Sequence, residues 1–150
     1  MKVLRNTLTI SVTFFLCSCM MTTDKINYGN DECFFCKMLI VDNRFGSKII
    51  TKKGKAYKFD SIECMIAFLD NFKENSIQKI FVIDYSNPGL MINASEANYL
   101  KSKNIPSPMG GFISAIKEKK KAHEIQTEKG GELFSWEKLM KKSAFHYPVY

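Results

Sequence analysis

The stretch KIITKKGKAYKFDSIECMIAFLDNFKENSIQKIFVIDY, residues 48–85, predicts the architecture of the first half of the chain. Two short runs, 48–51 and 56–59, flank a turn at Gly54, and this pattern is typical of a β-hairpin. Residues 80–85 are rich in β-branched and aromatic side chains, which indicates a buried strand. With a helix between them, these elements predict a β-β-α-β order.

The segment between the hairpin and the buried strand has the spacing of an amphipathic helix. Asp60 or Ser61 stands where an N-cap belongs, and Glu63 falls in the first turn, where a negative charge is favourable. Apolar residues then recur at steps of three and four along the chain, at Ile62, Met65, Ile66, Leu69 and Phe72. We expect this stripe, including Met65, to pack into the core.

The second half of the chain repeats this order of elements. The predicted elements are strands over 90–94, 112–116 and 133–136, helices over 117–129 and 137–142, and a short helical or extended piece over 95–101. Gly130-Gly131 follows the longer helix as a C-cap, and Ala122 and Ile125 are expected to face inward. We therefore predict an α+β fold of two small β-β-α-β units, at about 36–86 and 90–138.

Sulfur donors are concentrated in DECFFCKM, residues 31–38. Cys33 and Cys36 have the C-x-x-C spacing that allows two thiols to reach one point, and Met38 adds a thioether. Thiolate and thioether ligands together favour Cu(I) over harder ions. The same dithiol spacing also serves structural zinc sites and thiol–disulfide exchange, so the motif alone does not identify the chemistry.

Two further sulfurs are candidate ligands. Cys64 lies in the first turn of the predicted helix, where the helix N-terminus favours a thiolate, although a buried free cysteine also packs as a small hydrophobic residue. Met109 follows Pro108 in an irregular loop, where large apolar side chains are less often core residues. The candidate metal ligands are therefore Cys33, Cys36, Met38, Cys64 and Met109.

The N-terminus has the features of an export signal. Lys2 and Arg5 precede an apolar run over residues 8–16, which is far shorter than the roughly 20 residues that span a bilayer. The next residues, up to Cys19, form the sequence Leu-Cys-Ser-Cys, which resembles a bacterial lipobox; an ordinary signal peptide cleaved nearby is the alternative. We expect Cys19 to become a lipidated N-terminus at the extracytoplasmic face of a bacterial membrane.

These features divide the chain into four parts. A signal peptide is expected over 1–18, a lipidated polar tether over 19–30, the folded domain over 31–142 and a tail over 143–150. Once Cys17 and Cys19 are set aside, three of the five cysteines remain. Three thiols cannot all pair as disulfides within one chain outside the cytosol, so at least one is left for other chemistry.

Composition narrows the classes of partner. A chain of 150 residues with 45% hydrophobic residues has enough apolar content for a folded core. Its formal charge of +7 arises from scattered lysines, without a nucleic-acid-binding module, so nucleic acid is not an expected partner. The basic surface could weakly favour anionic lipid head groups.

The chain resembles the NosL family from about Asp31 to Leu139. The resemblance is carried by DECFFCKM, KFDSIECM and SPMGGF, which follow the lipobox, and by a Gly-Gly pair before an apolar strand. The resemblance implies a pair of β-β-α-β units and a lipid-anchored, non-enzymatic Cu(I) metallochaperone for nitrous oxide reductase assembly. It implies Cys33, Cys36 and Met38 as the leading ligands, with Met109 and Cys64 as further ones. The implied partners are a copper-acceptor enzyme or its membrane maturation factors.

Two alternative functions remain open at this point. A thiol–disulfide oxidoreductase would use the C-x-x-C directly, but a βαβ frame upstream of it is missing and the residues after Cys36 look extended. A small structural zinc domain would need four ligands, with a distant histidine beside the three cysteines.

Overall fold

The computed structural model describes residues 25–70, 72 and 76–143, and the expected signal peptide, Cys19 and most of the predicted tail lie outside these residues. The strands are β1 (Ser47–Thr51), β2 (Ala56–Phe59), β3 (Ile77–Ile83), β4 (Met91–Asn93), β5 (Asn98–Lys101), β6 (Ile113–Ile116) and β7 (Glu132–Phe134). The helices are α1 (Ile62–Leu69), α2 (Lys119–Lys129) and α3 (Trp136–Ser143). None of the helices in this part of the chain is long and apolar enough to cross a membrane.

The strands form two antiparallel sheets with the same internal order. The first sheet has the order β2-β1-β3-β4 and the second has the order β6-β5-β7. In each sheet the first strand of the unit lies in the middle, between its hairpin partner and the strand that follows the helix. The repeated sequence β-β-α-β therefore builds the same arrangement twice, and the predicted α+β fold of two such units is confirmed.

One strand belongs to a different sheet from the one that the sequence suggested. Residues 90–94 were predicted to open the second unit, but β4 pairs antiparallel with β3, with Phe81 opposite Asn93 and Ile83 opposite Met91. The turn at 87–89 reverses the chain at once, with the Leu90 N–H donating to the Asn87 carbonyl at 3.0 Å. A local hairpin is thus formed before the chain crosses over, and the second unit begins at β5.

The folded domain begins before Asp31, the predicted start. Ile26 is buried within the main core cluster, and its Cδ1 atom lies 2.8 Å from the place where a side chain on Gly46 would begin. The Gly29 N–H donates to the Ile40 carbonyl at 2.8 Å. The segment 26–30, assigned to the tether by its polar composition, therefore packs onto the domain.

The helices cover the sheets with their apolar faces. In α1 the residues Ile62, Met65 and Ile66 are fully buried, as the three-and-four spacing predicts, and the helix ends at Leu69. In α2 the residues Ala122 and Ile125 face inward, and Gly130 caps the C-terminus with a positive φ of 66°. The two sheets touch where the Tyr85 N–H donates to the Ala115 carbonyl at 2.8 Å.

Candidate metal centre

Three thiols and one carboxylate converge at one end of the first unit. Cys33, Cys36, Cys64 and Asp60 each offer one potential ligand atom, and these atoms all lie within 4.8 Å of one another. The three cysteines are free thiols. Cys33 and Cys64 are buried, whereas Cys36 is partly exposed, so Cys36 is the sulfur that solvent reaches.

A tight turn brings the two sulfurs of the C-x-x-C motif together. The Cys33 N–H donates to the Met38 carbonyl at 2.8 Å, and the Lys37 N–H donates to the Cys33 carbonyl at 2.9 Å. Lys37 closes the turn with a φ of 65°, in the left-handed region that non-glycine residues seldom adopt. The chain continues through a single bridge between Glu32 and Leu39, not through a helix.

The turn is attached to β2, whose end leads into α1. The Phe34 N–H donates to the Lys58 carbonyl at 2.8 Å, and the Lys58 ammonium pairs with Asp31 at 2.8 Å. Since Phe59, Asp60 and the helix cap follow Lys58 directly, this attachment places the C-x-x-C turn beside the first turn of α1. Residues distant in sequence are thereby brought to one site.

The N-cap of α1 orients Cys64 toward the cluster. The Ser61 hydroxyl accepts a hydrogen bond from the Cys64 N–H at 3.2 Å, the usual capping contact. Ser61 is itself held by the Ser47 hydroxyl, which donates to its carbonyl at 2.9 Å. Both serines are fully buried, so the cap and β1 form one rigid support under the site.

Hydrogen bonds among the thiols shift their pKa values in opposite directions. The Cys64 thiol donates to the Cys33 sulfur and lowers the pKa of Cys33 to about 6, with backbone N–H groups of Cys36 and Asp60 acting in the same sense. Burial raises the pKa of Cys36 to about 11, and the shared proton raises the pKa of Cys64. The nearby Asp60 carboxylate opposes ionisation of all three thiols. A cation in the cluster would offset this repulsion and displace the remaining protons.

Both candidate methionines are exposed. Met38 is 54% exposed, and its backbone N–H donates to the Cys36 sulfur. Met109 is 37% exposed and lies in a turn closed by the Gly110 N–H, which donates to the Ser107 carbonyl at 2.9 Å. Met65, predicted as a core residue, is fully buried. His123 is exposed on α2, so it does not complete the cluster.

Glu63 fastens the Met109 loop to the helix that carries Cys64. Its Oε1 atom accepts hydrogen bonds from the Ser107 hydroxyl at 2.5 Å and from the Ile113 N–H at 3.2 Å. Burial raises the pKa of this carboxyl. A side chain on Gly111 would begin 2.4 Å from the Glu63 Cγ atom, so the loop needs a glycine there.

Two carboxylates in this region were missed as site residues by the sequence analysis. Asp60 is only 3% exposed, and its Oδ1 atom has no hydrogen-bond partner among the described residues. Glu63 is 4% exposed, and its Oε2 atom likewise has none in that part of the chain. In the sequence their positions predict only a helix start, because acidic residues are favoured there by the positive end of the helix dipole.

Comparison with known proteins agrees with this geometry. The sequence model of the NosL family matches residues 26–144. The chain is similar to the crystal structure of the copper chaperone NosL from Shewanella denitrificans, with 25% identity and a TM-score of 0.68, over 78% of this chain and 94% of that one. A search of curated proteins finds no match. Since the family match covers most of the chain, this protein belongs to the NosL family.

Proposed function

We propose that this protein is a non-enzymatic Cu(I) metallochaperone. It is expected to work at the extracytoplasmic face of a bacterial membrane, anchored through a lipidated Cys19, and to pass copper to a copper enzyme, with nitrous oxide reductase as the expected acceptor. The observation that carries the copper assignment is the convergence of three free thiols around one point, with one sulfur at the surface. Membership of the NosL family and the solved copper chaperone support the same assignment.

The donor set fits a cargo ion that must be held and then released. Sulfur ligands stabilise Cu(I) and disfavour Cu(II), which prefers nitrogen and oxygen ligands in tetragonal geometry. Cys33 and Cys64 would hold the ion from the buried side, and Cys36 would hold it from the solvent side. An acceptor sulfur could then replace Cys36 first and the buried ligands afterwards. Met38 and Met109 remain the predicted thioether ligands at the exposed side.

The geometry does not favour thiol–disulfide exchange. An exchange motif presents a reachable thiolate at a helix N-terminus. Here the first cysteine of the motif, Cys33, has no exposed surface, and a turn and a bridge follow it in place of a helix. Among the three thiols of the cluster, an incoming disulfide could reach only Cys36.

A structural zinc site is the second candidate, because the cluster contains four donors. Asp60 supplies the fourth ligand that a closed tetrahedral site requires, in the place of the distant histidine that the sequence suggested. Most residues of the two hydrophobic cores lie outside the thiol cluster, so we expect the domain to fold without a metal. The two candidates therefore differ in whether the metal-free protein folds.

Titration with Cu(I) in the presence of a competing chelator tests the copper assignment. We expect near-stoichiometric binding, and an affinity loss of about 100-fold or more when Cys33 and Cys36 are both replaced by Ser, since two of the three thiolate ligands are lost. Met38→Leu and Met109→Leu are expected to weaken binding less. Met91→Leu, a partly buried methionine of the core, is the matched control and should bind as the wild type does. Unchanged affinity in the double cysteine variant would sink the proposal.

Thermal unfolding of the metal-free protein separates copper from zinc. The copper assignment predicts cooperative unfolding without metal and a small effect of Asp60→Asn on Cu(I) affinity. The structural zinc site predicts instead that the protein loses cooperative unfolding when zinc is removed and regains it when Zn²⁺ is added. In Asp60→Asn, added Zn²⁺ should then fail to restore it.

The anchor and the acceptor need separate measurements. Fatty-acid labelling should disappear in Cys19→Ser, and that variant should leave the membrane fraction. Deleting the protein should lower the copper content of nitrous oxide reductase in the same cells. If nitrous oxide reductase has its normal copper content in the deletion strain, it is not the acceptor, and the assignment of Cu(I) binding is unaffected.

A further inference from the structure

We propose that the apolar surface beside Cys36 is the docking site for a copper-accepting protein whose contact surface is apolar and ringed by carboxylates. We call this surface the mouth patch, and it consists of Phe34, Met38, Leu39 and Val41. The inference rests on the proposed copper transfer and adds to it the place and the chemistry of the partner.

The mouth patch is formed by side chains that would be expected inside a folded domain. Leu39 is 50% exposed and Val41 is 69% exposed, whereas Ile40 between them is fully buried. Phe34 and Met38 are 40% and 54% exposed. The alternation shows that this extended segment has one face in the core and one face directed outward. An exposed apolar patch on the order of a few hundred Å² is often a contact surface.

Two residues of the patch flank the accessible sulfur of the cluster along the chain. Phe34 and Met38 lie on either side of Cys36 in the C-x-x-C turn, and the Met38 N–H donates to the Cys36 sulfur. A protein that binds here has its own ligands next to Cys36, which is the position from which ligand exchange can begin. A lipid surface in the same place would cover the sulfur with hydrocarbon, which offers copper no ligand.

Positive charge lies next to the patch. The Lys37 ammonium lies 4.4 Å from the centre of the Phe34 ring, and the Lys55 ammonium lies 5.7 Å from it. The adjoining hairpin turn adds the exposed Lys52 and Lys53. The acidic residues near the patch are Glu32, beside Leu39, and Asp31 and Asp42, which are paired with Lys58 and Arg44. The formal charge of +7 falls to +5 once the expected signal peptide, with Lys2 and Arg5, is removed (7 − 2 = 5). A partner with carboxylates around an apolar centre complements this surface and is steered toward it.

The size of the patch favours a transient partner over a second copy of this chain. A stable complex buries about 800 Å² on each partner. The mouth patch consists of four side chains that are each only partly exposed, which is less than such an interface requires. A symmetric dimer would also place the lysines of two copies close together. Brief contact followed by release suits a protein that must give up its cargo.

Copper transfer to native acceptors tests the proposal. The full chain is loaded with isotopically labelled Cu(I) and mixed with washed envelopes of a strain that lacks this protein, grown when the protein is normally made. The rate at which copper enters envelope proteins is compared between wild type, Leu39→Glu with Val41→Glu, and Lys55→Glu. Lys120→Glu, on α2 in the other unit, is the control for charge reversal.

We expect transfer to be about tenfold slower in the double variant and severalfold slower in Lys55→Glu, because encounter and docking are both weakened. Lys120→Glu should transfer at the wild-type rate. All variants should keep the wild-type Cu(I) affinity and release copper to a small chelator at the wild-type rate, because the cluster itself is unchanged. If circular dichroism shows that the double variant is unfolded, the variant Leu39→Ser with Val41→Ser replaces it, and the same slower transfer is expected.

Four results would overturn the docking site. These are an unchanged rate in the folded patch variants, no transfer from the wild type, patch-dependent binding to protein-free vesicles of the same lipids, and a wild-type dimer that the patch variants abolish. The last two assign the patch to a membrane or to a second copy. If the wild type fails to bind Cu(I), the proposed function itself fails, and this result is distinct from the other four.

Discussion

Replacing Gly111 by Ala should destabilise the protein strongly, because Glu63 occupies the space that the new methyl group needs. The added Cβ would lie 2.4 Å from the Glu63 Cγ atom and 2.6 Å from its Oε1 atom. Glu63 is 4% exposed and is held by Ser107 and Ile113, so it cannot move out into solvent. The backbone of Gly111 does not have a positive φ, so the cost comes from the contact and not from the dihedral angles.

The size of the effect follows from the movement that the contact demands. Carbon atoms in ordinary contact are about 3.5 Å apart, so Glu63 must shift by roughly 1 Å. Such a shift lengthens the hydrogen bonds from Ser107 and Ile113, and each intramolecular hydrogen bond is worth about 0.5–1.5 kcal/mol. Overpacking alone costs about 1–3 kcal/mol. We expect a loss of about 3 kcal/mol, which for a domain of this size lowers the Tm by about 10 °C.

Chemical and thermal unfolding of the purified metal-free protein measure this loss. Gly110→Ala is the matched control: its φ is +68° and nothing lies within 4 Å of the added carbon, so it should cost only about 1–2 kcal/mol for the left-handed conformation. In a double-mutant cycle, Glu63→Ala should remove most of the penalty of Gly111→Ala. If Gly111→Ala is no less stable than Gly110→Ala, or if the cycle shows no coupling, the contact with Glu63 does not constrain this loop.

Two further substitutions test the start of the domain and the support of the site. Ile26→Ala should lower the free energy of unfolding by about 2–4 kcal/mol, because Ile26 is a buried core residue. Lys25→Ala is the exposed control. If the two variants are equally stable, this segment belongs to the tether. Ser61→Ala should lower the free energy of unfolding by about 1–2 kcal/mol through loss of the α1 cap, more than Ser135→Ala at the exposed start of α3. Unfolding in urea measures both losses, and a larger loss in Ser135→Ala would contradict this prediction.

Local patterns in the sequence predicted most of the secondary structure. Gly54 with its flanking apolar runs predicted the β1–β2 hairpin, and the Asp60-Ser61 pair with its apolar stripe predicted α1 and its cap. These features depend on residues a few positions apart, so the information is contained within short windows. Boundaries were less accurate: β3 begins three residues before its predicted start, because the exposed Gln78 and Lys79 conceal the strand.

Long-range pairing could not be predicted in the same way. The segment 90–94 looks like a strand in either unit, and only the hydrogen bonds between β3 and β4 assign it to the first sheet. Likewise, the polar composition of 26–30 indicates a tether, whereas the burial of Ile26 depends on a core formed with residues much later in the chain.

The sequence by itself determined which sulfur donors this protein possesses: a C-x-x-C pair, a cysteine in a predicted first helical turn, and the thioethers of Met38 and Met109. Only the tertiary structure decided that Cys33, Cys36 and Cys64 share one space, that Asp60 is buried with them, and that Cys36 faces outward. The physical reason is that residue type and spacing set local geometry. The approach of distant segments is set by contacts such as those of Phe34 and Asp31 with Lys58, which are formed only when the sheet and helix have packed.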